Sequence, residues 1–377
     1  MKVSVTVPAR VNILGNPTDG TEGDFYTISG AVNIFGGAIV EPADQITFRS
    51  VPRPGSRTAL AWGTVSTVAE LRVRPDDTLR AFAASLLGLV KFYKPARALL
   101  EKHPVCLSFW TEVPERSGLG GSSVFALALL NALRAYYRLD PTVFHDYALA
   151  ELAQRIEEQE LGVTCGYADR YAIQLGGLAY IDYRDKLHHE PIGREPLATY
   201  ERLDPFVATP QFIVAFSGVS RDSGDVHAVM RRRYLDDWAR QQREPGFSSK
   251  ILDRFRKIGE TARAGKLCLL ASDIEGFGKL MNENHALIDR IMRDCGFPDG
   301  AGEANNWLIT AARNADALGA KLTGAGGGGS VLILPPPGRA RKVLAAVQAE
   351  AKRRVMSRAQ FFTARIIRHG PRVETEE

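Results

Sequence analysis

Glycines and serines crowd one segment directly ahead of a helix-forming stretch. Segment 114–123 reads P-E-R-S-G-L-G-G-S-S and is followed by V-F-A-L-A-L-L-N-A-L. Such a turn leaves backbone N–H groups free at a helix N-terminus, where the helix dipole also favours negative charge. The pattern predicts a phosphate-binding loop. Together with a second glycine run and a candidate carboxylate base, it indicates phosphoryl transfer.

The second glycine run, G-A-G-G-G-G at 324–329, formally contains G-x-G-x-x-G. A dinucleotide-binding loop requires a helix directly behind it, whereas S-V-L-I-L and three prolines follow here, so that interpretation fails. Neither run ends in G-K-S or G-K-T, which excludes a Walker A loop. A tight hairpin is one interpretation of the second run. Its six-residue length and its pairing with the first run favour a position beside the phosphates.

Two adjacent serines close the first loop, and they have two interpretations. Serine is a common helix cap. A serine hydroxyl beside a phosphate loop is also a usual ligand for Mg²⁺, which prefers oxygen donors. A carboxylate should complete such a site, and an acidic turn at the end of a predicted helix supplies candidates. Because acids in a last turn oppose the helix dipole, this turn requires partner cations. The residues concerned are Ser122, Ser123, Glu157, Glu158 and Glu160.

A candidate base follows that helix. Asp169 lies in a turn next to Arg170. Aspartate often serves only to form a turn. Its functional interpretation is a base that takes the proton of a substrate hydroxyl while a nearby cation keeps it ionised. Arg10, at the end of a predicted strand, is either a surface residue or the cation that pairs with Asp169 and stabilises charge on the transferred group.

Bulk properties limit the class of protein. The chain has 377 residues, which exceeds the usual size of one core, so we expect two domains. Its net charge of +5 includes no long run of one sign, which suits small anions rather than nucleic acid. The four cysteines form no C-x-x-C pair, and no signal-peptide pattern or apolar run of about 20 residues is present. We therefore expect a cytoplasmic protein without a zinc site, disulfide framework or membrane span.

Periodicity predicts a mixture of strands and helices. The predicted strands are 2–7, a short piece after Arg10, 28–40, 44–51, 104–112, 177–183, 211–216, 321–323, 330–334 and 359–367. The predicted helices are 77–93, 122–137, 143–161, a short one near 170, one from 226, 250–263, 266–295, 302–317 and 338–354. Segment 184–210 has no clear periodicity, so we place the domain junction there, between 1–190 and 205–377. The tail R-V-E-T-E-E is expected to fray.

Three segments in order resemble the motifs of the GHMP kinases: P-A-R-V-N-I-L-G-N-P-T-D at 8–19, the serine-glycine segment at 114–123, and K-L-T-G-A-G-G-G-G at 321–329. The resemblance implies an α+β fold with an N-terminal domain like domain 2 of ribosomal protein S5 and a C-terminal ferredoxin-like domain. It also implies ATP and Mg²⁺, with nucleotide and sugar meeting between the domains. The ATP-binding residues it implies are Pro114, Ser117, Gly118, Leu119, Gly120, Gly121, Ser122, Ser123, Gly324, Gly326 and Gly327.

Segments 161–182, 222–233 and 280–284 resemble the glucuronokinase branch, and L-G-V-T-C-G-Y-A-D also resembles galactokinases. This alignment implies that Asp169 is the catalytic aspartate, Arg10 the cation of the first motif and Ser123 the magnesium serine. The magnesium glutamate falls on Glu157, with Glu158 as the alternative because the helix register is open.

One difference bears on the substrate. Galactokinases carry E-H-T-D or E-N-T-D where this chain has N-P-T-D, and their glutamate contacts the sugar C6 hydroxyl. A glutamate beside a C6 carboxylate would bring like charges together, whereas Asn16 can donate a hydrogen bond. Asp19 is retained, as expected for a group that binds ring hydroxyls. We therefore predict a uronic acid such as glucuronate, phosphorylated at its anomeric hydroxyl. Ser223, Gly224 and His227 begin a helix and are further candidates for substrate contact.

Two alternatives stay open. Two acids in T-E-G-D-F at 21–25 would suit a neutral sugar or another polyol, and galacturonate is a further acidic candidate. A protein of another class, a non-catalytic sensor that binds ATP and sugar, would not need the base together with the metal pair. The expected partners are small molecules, with no nucleic acid and no membrane, and the chain is expected to be a monomer or homodimer.

Overall fold

The computed structural model describes residues 1–21, 23, 25–186, 191–194, 196–219, 223–324 and 326–376, with only the backbone of 223 and 224. The strands in these ranges are β1 (Lys2–Leu14), β2 (Tyr26–Pro42), β3 (Ile46–Ser50), β4 (Ala61–Val65), β5 (Val105–Thr111), β6 (Leu178–Asp182), β7 (Thr199–Arg202), β8 (Phe212–Phe216), β9 (Gly319–Leu322), β10 (Ser330–Leu334), β11 (Gln360–Ala364) and β12 (Arg372–Glu376). The helices are α1 (Arg80–Phe92), α2 (Pro95–Lys102), α3 (Gly121–Tyr136), α4 (Asp146–Arg155), α5 (Ala168–Leu175), α6 (Ser223–Arg243), α7 (Lys250–Leu270), α8 (Ile274–Asp294), α9 (Glu303–Asn314) and α10 (Ala340–Arg353).

The first sheet is built around the long antiparallel pair of β1 and β2. Its strand order is β12-β1-β2-β5-β3-β4, and β6 also pairs with β2 and with β7. Side chains alternate along a strand, so Arg10 and Asn12 point to the same side of β1. Helix α3 packs against β1 and β2, with Leu127 and Leu130 fully buried. This packing brings the start of α3 close to Arg10.

The second sheet has the order β11-β8-β10-β9, with all its neighbouring pairs antiparallel. Helices α9 and α10 cover it with an apolar layer that includes Leu308 and Val343. Strand β9 lies at its edge, with Lys321 opposite Leu332 of β10. The sequence-based prediction of an α+β architecture is confirmed.

Three expectations about individual elements are wrong. The tail is not frayed over 372–376, because its alternating residues extend the edge of β1 as β12, with Lys2 opposite Glu376. The helix break expected at 264–265 lies at 271–273 instead, since Gly265 lies inside α7 and allows close packing: a Cβ there would meet Leu14 Cδ1 at 2.3 Å. The segment expected to be one α-helix over 143–161 is α-helical only over Asp146–Arg155, and Ile156–Glu160 form a π-helical turn.

The expected domain junction contains regular structure, since β7 within it pairs with β6. We keep the division into 1–190 and 205–377 as a proposal, with β12 returning from the second segment to the first sheet. Among the described residues, no helix is long and apolar enough to cross a membrane.

Candidate active site

Arg10 and Asp169 form an ion pair between β1 and the first turn of α5. Arg10 Nη2 donates to Asp169 Oδ2, and Nη1 donates to the Gly118 carbonyl at 2.6 Å. Asn12 Nδ2 donates to the other carboxylate oxygen, Oδ1, at 2.9 Å. Ser29 in turn donates to Asn12 Oδ1 at 2.8 Å, which fixes the orientation of that amide. Both oxygens of Asp169 are therefore held from β1.

The surroundings of Asp169 keep its carboxyl group ionised. Burial alone would raise the pKa of this carboxyl. The charges of Arg10 and Arg170, with the hydrogen bonds from Arg10 and Asn12, outweigh burial and hold the pKa far below its usual value. A carboxylate of this kind stays available to accept a hydrogen bond across the physiological pH range.

Glu157 is the centre of a second polar cluster. Ser122 Oγ donates to its Oε2 at 2.5 Å, and Ser123 Oγ donates to its Oε1 at 2.8 Å. Arg170 contacts the same two oxygens through Nε and Nη2. Glu157 is only 1% exposed, so this carboxylate is balanced by a buried cation and two hydroxyls.

The other two acids of the π-helical turn have separate partners. Glu158 accepts a hydrogen bond from Arg231 Nη1 at 2.6 Å, and Glu160 pairs with Lys91 at 2.7 Å. Each acid of the turn therefore has the cation that its place at a helix end requires. Only Glu157 of the three meets the two serines, which distinguishes it from Glu158 in this structure.

The two glycine loops touch each other. A Cβ on Gly118 would meet Gly324 Cα at 3.3 Å, and a Cβ on Gly324 would meet Gly118 Cα at 2.9 Å. Gly120 caps α3 in the left-handed conformation, with φ of 82° and no side-chain cap. Ser122 and Ser123 are therefore not caps, and their hydroxyls bond Glu157 instead. The start of α3 keeps its first N–H groups directed towards the loop, where an anion binds well.

The predicted substrate residues lie around the same pocket. Asn16 is 3% exposed, and its Oδ1 accepts a hydrogen bond from Lys321 Nζ at 2.8 Å. Asp19 accepts one from the backbone of Ala168 at 2.9 Å. Burial raises the pKa of the Asp19 carboxyl. The charge of Asp169 adds to this effect, and the hydrogen bond from Ala168 opposes it.

One pocket joins these groups. The residues lining it are Arg10, Asn12, Asn16, Pro17, Asp19, Gly118, Gly120, Gly121, Ser122, Glu157, Val163, Thr164, Cys165, Gly166, Asp169, Arg170, His227 and Gly324. Some residues expected at the site do not line it: Pro114, Ser117, Leu119, Ser123, Gly326 and Gly327. Leu119 and Ser123 are fully buried, the first within the apolar core and the second behind Glu157. Ser223 and Gly224 belong to the start of α6, and their side chains lie outside the described atoms.

Sequence reasoning missed two polar residues and one role. Asn12 holds Asp169, and the alternation of β1 places it on the same side as Arg10, so that signal was available. Lys321 belongs to a segment considered only for its glycines. Arg170 was noted as a neighbour of Asp169, whereas its main contact is with Glu157.

The serine and glutamate cluster suits a magnesium ion. Hydroxyl and carboxylate oxygens are the donors that Mg²⁺ prefers, and they lie beside the glycine loop. Among the described residues, no group of three or more His, Cys, Asp or Glu side chains is arranged to hold a metal ion. A magnesium ion held partly by phosphate oxygens and water does not require such a group.

Two family models match the chain in the expected order. Residues 86–177 match the model described as GHMP kinases N terminal domain, and residues 266–353 match GHMP kinases C terminal. The first match covers the serine-glycine loop, Glu157 and Asp169. The second covers β9 and the second glycine loop.

The chain is also similar to known kinases in sequence and in structure. The chain is 28% identical over 336 residues to a probable glucuronokinase 2 of Arabidopsis thaliana, covering 88% of this chain and 83% of that protein. It is 30% identical over 234 residues to a mevalonate kinase of Thermococcus gammatolerans, covering 62% and 60%. Among solved structures, the galactokinase of Lactococcus lactis complexed with galactose has a TM-score of 0.75 at 18% identity, covering 98% of this chain and 95% of that one.

The chain belongs to the GHMP kinase superfamily and is an enzyme of the kinase class. Its fold is the GHMP kinase fold, with mixed helices and sheets in an α+β architecture.

Proposed function

We propose that this enzyme transfers the γ-phosphoryl group of ATP to a sugar hydroxyl, the anomeric hydroxyl of a uronic acid such as glucuronate. The observation that supports it best is the convergence in one pocket of an ionised aspartate, its arginine and the serine-glutamate cluster. A non-catalytic sensor would not require the base and the metal pair together. A cytoplasmic location, where ATP is available, belongs to the same proposal.

The chain's own groups would act by position and charge. Asp169 would orient the attacking hydroxyl and take its proton as the new phosphorus–oxygen bond makes that proton acidic. Arg10, fixed between Asp169 and the Gly118 carbonyl, would stabilise negative charge on the transferred group. The N-terminus of α3 and the two glycine loops would bind the nucleotide phosphates.

The same pocket contains the candidate metal ligands Ser122 and Glu157. Glu157 with Ser122 and Ser123 would hold Mg²⁺, and Ser123 is the serine that the family pattern selects. When bound, the ion neutralises charge on the phosphate oxygens. Arg170 keeps the Glu157 carboxylate in a fixed orientation for this purpose.

Asn16 carries the argument for an acidic substrate. It lines the pocket with Asp19 and Asp169, at the position where galactokinases carry glutamate. An amide donates to a carboxylate without the repulsion that a second carboxylate would add. The relatives named glucuronokinase agree with this choice.

The test is ADP release from ATP and Mg²⁺ with a panel of glucuronate, galacturonate, galactose, arabinose, a heptose, myo-inositol, mevalonate and homoserine. We expect turnover with glucuronate and its loss in Asn16→Glu. Turnover with a neutral sugar alone, or full glucuronate activity in Asn16→Glu, would overturn the uronate assignment. If no acceptor gave ADP release while ATP still bound, the result would favour the non-catalytic sensor.

A further inference from the structure

Lys321 is a fully buried lysine behind the substrate pocket, and the reaction described so far does not use it. Its ammonium group donates to three neutral oxygens: Asn16 Oδ1 at 2.8 Å, the Asn12 carbonyl at 3.3 Å and the Leu322 carbonyl. None of these partners among the described residues is a carboxylate. A buried cation with no counter-ion is costly, so its retention at this position calls for a compensating anion.

The contact with Lys321 fixes which end of Asn16 faces the substrate. An ammonium group only donates hydrogen bonds, so the end of the amide that meets it is the oxygen. The amide nitrogen, Nδ2, is then the end left for the pocket that Asn16 lines. No described residue accepts a hydrogen bond from that nitrogen. The pocket wall therefore presents an N–H donor with a positive charge directly behind it.

The backbone of Asn16 is fixed by a second buried residue. Asn284 of α8 accepts a hydrogen bond from the Gly15 N–H at 3.1 Å and donates to the Asn16 carbonyl at 3.5 Å. Lys321 and Asn284 lie 305 and 268 positions beyond Asn16 in the chain. The substrate-facing amide is thus oriented by residues of the C-terminal half, from both its side chain and its backbone.

We propose that Lys321 is a positioning and specificity-determining residue, which turns the Asn16 amide so that it donates to an anionic group of the acceptor and supplies the charge that favours that anion. This inference rests on the proposed uronic acid substrate and names the residue that selects it. A sugar hydroxyl gains one ordinary hydrogen bond at this position, whereas a carboxylate also gains the attraction of the buried charge.

The ionisation of Lys321 agrees with this role. Burial, and then the charge of Arg10 on β1, lower the pKa of Lys321 to about 7. Two neighbouring groups on packed helices differ from Lys321 in this respect. Burial, and to a lesser extent the charges of Arg313 and Lys321, lower the pKa of His285 of α8 to about 4, and Arg313 of α9, which donates to the Ala320 carbonyl, stays charged. Lys321 is accordingly the group here whose charge changes near neutral pH.

The first experiment compares glucuronate with its neutral, nearly isosteric analogue glucuronamide. In Lys321→Met we expect the KM for glucuronate to rise about tenfold or more, because a charge-assisted contact is lost. The KM for glucuronamide and for ATP should change by less than about threefold. The control is Lys342→Met, an exposed lysine that pairs with Asp316 at 2.7 Å, and it should match the wild type.

An equal rise for glucuronate and glucuronamide would assign Lys321 a purely structural role and overturn the inference. If wild-type enzyme did not turn over glucuronate at all, the proposed function would fail first, and the two failures are therefore distinguishable.

A measurement on the wild-type enzyme covers the case in which Lys321→Met does not fold. The carboxylate of glucuronate is ionised throughout pH 6 to 8.5, so its own titration does not contribute. As pH rises through about 7, Lys321 loses its charge, and the KM for glucuronate should rise while that for glucuronamide stays level. Parallel pH profiles for the two acceptors would overturn the inference.

Discussion

Arg170 contacts both carboxylate oxygens of Glu157, with Nε 2.9 Å from Oε1 and Nη2 2.5 Å from Oε2. Both side chains are nearly inaccessible to water, at 3% and 2% exposure. The proposed magnesium carboxylate is therefore already balanced by a cation of the protein. This pair links the metal side of the pocket to the base, because Asp169 is the residue next to Arg170.

Arg170→Gln should leave the Glu157 carboxylate buried without its cation. We expect the free energy of unfolding to fall by about 3 to 5 kcal/mol, the usual effect of breaking a buried pair. Added Mg²⁺ should then raise Tm more in this variant than in the wild type, because the ion can replace the lost charge. The check is thermal unfolding with and without Mg²⁺. Arg97→Gln, which removes an exposed pair with Glu101, should cost less than about 1 kcal/mol and show no added response.

Asp169→Asn keeps the size of the side chain but removes the charge and the proton acceptor. We expect kcat to fall about 100-fold or more, as for other general bases, with little change in ATP affinity. Steady-state kinetics and calorimetric ATP binding measure the two effects. A variant with near-normal kcat would show that Asp169 serves only to pair with Arg10 and Asn12.

Gly118→Ala tests the contact between the two glycine loops. Gly118 has φ of +73°, and a Cβ there would meet Gly324 Cα at 3.3 Å. Gly338 has the same φ of +73° with nothing within 4 Å, so Gly338→Ala carries the backbone cost alone. We expect both alanines to lower Tm, since left-handed backbone costs an alanine about 1 to 2 kcal/mol, but only Gly118→Ala to raise the KM for ATP. Equal nucleotide kinetics in the two variants would contradict a role of this contact in nucleotide binding.

We expect His227 to cause part of the loss of folding stability in acid. Loss of water contacts lowers its pKa to about 4, and three nearby arginines add to this against an opposing effect of Asp169. The unfolded chain therefore takes up a proton near pH 6.5 that the folded chain refuses until about pH 4. Stability should fall as pH decreases through this window, and His227→Gln should make the fall in Tm shallower. The three arginines are Arg170, Arg10 and Arg231.

His103→Gln, which removes an exposed histidine, is the matched control and is thermally unfolded over the same pH range. Identical slopes for the wild type and His227→Gln would show that His227 is not the group responsible.

The local sequence pattern predicted most of the helices and strands. It failed where contacts with distant parts of the chain determine the secondary structure. Gly265 looks like a helix break, but it is retained inside α7 because Leu14 of β1 packs against it. The tail looks too polar to order, but the open edge of β1 pairs with it as β12. Neither partner is visible from the local sequence.

The same limit applies to the site. The loop serines, Glu157 and Asp169 could be selected from residue type and family pattern, and the structure gathers them around one pocket. That Glu157 rather than Glu158 meets the serines depends on the π-helical turn, which shifts the helix register. The contact of Lys321 with Asn16 joins residues 305 positions apart, so it required the fold itself.

The pairing of β12 with β1 has a consequence during synthesis. Lys2 of β1 and its partner Glu376 of β12 lie 374 positions apart in the chain, so β1 leaves the ribosome long before β12 is made. Until then the nascent protein carries an open strand edge, a surface prone to pairing with other chains. A stop codon shortly before Arg372 would leave the residues around the pocket in place and still release a protein with that edge exposed.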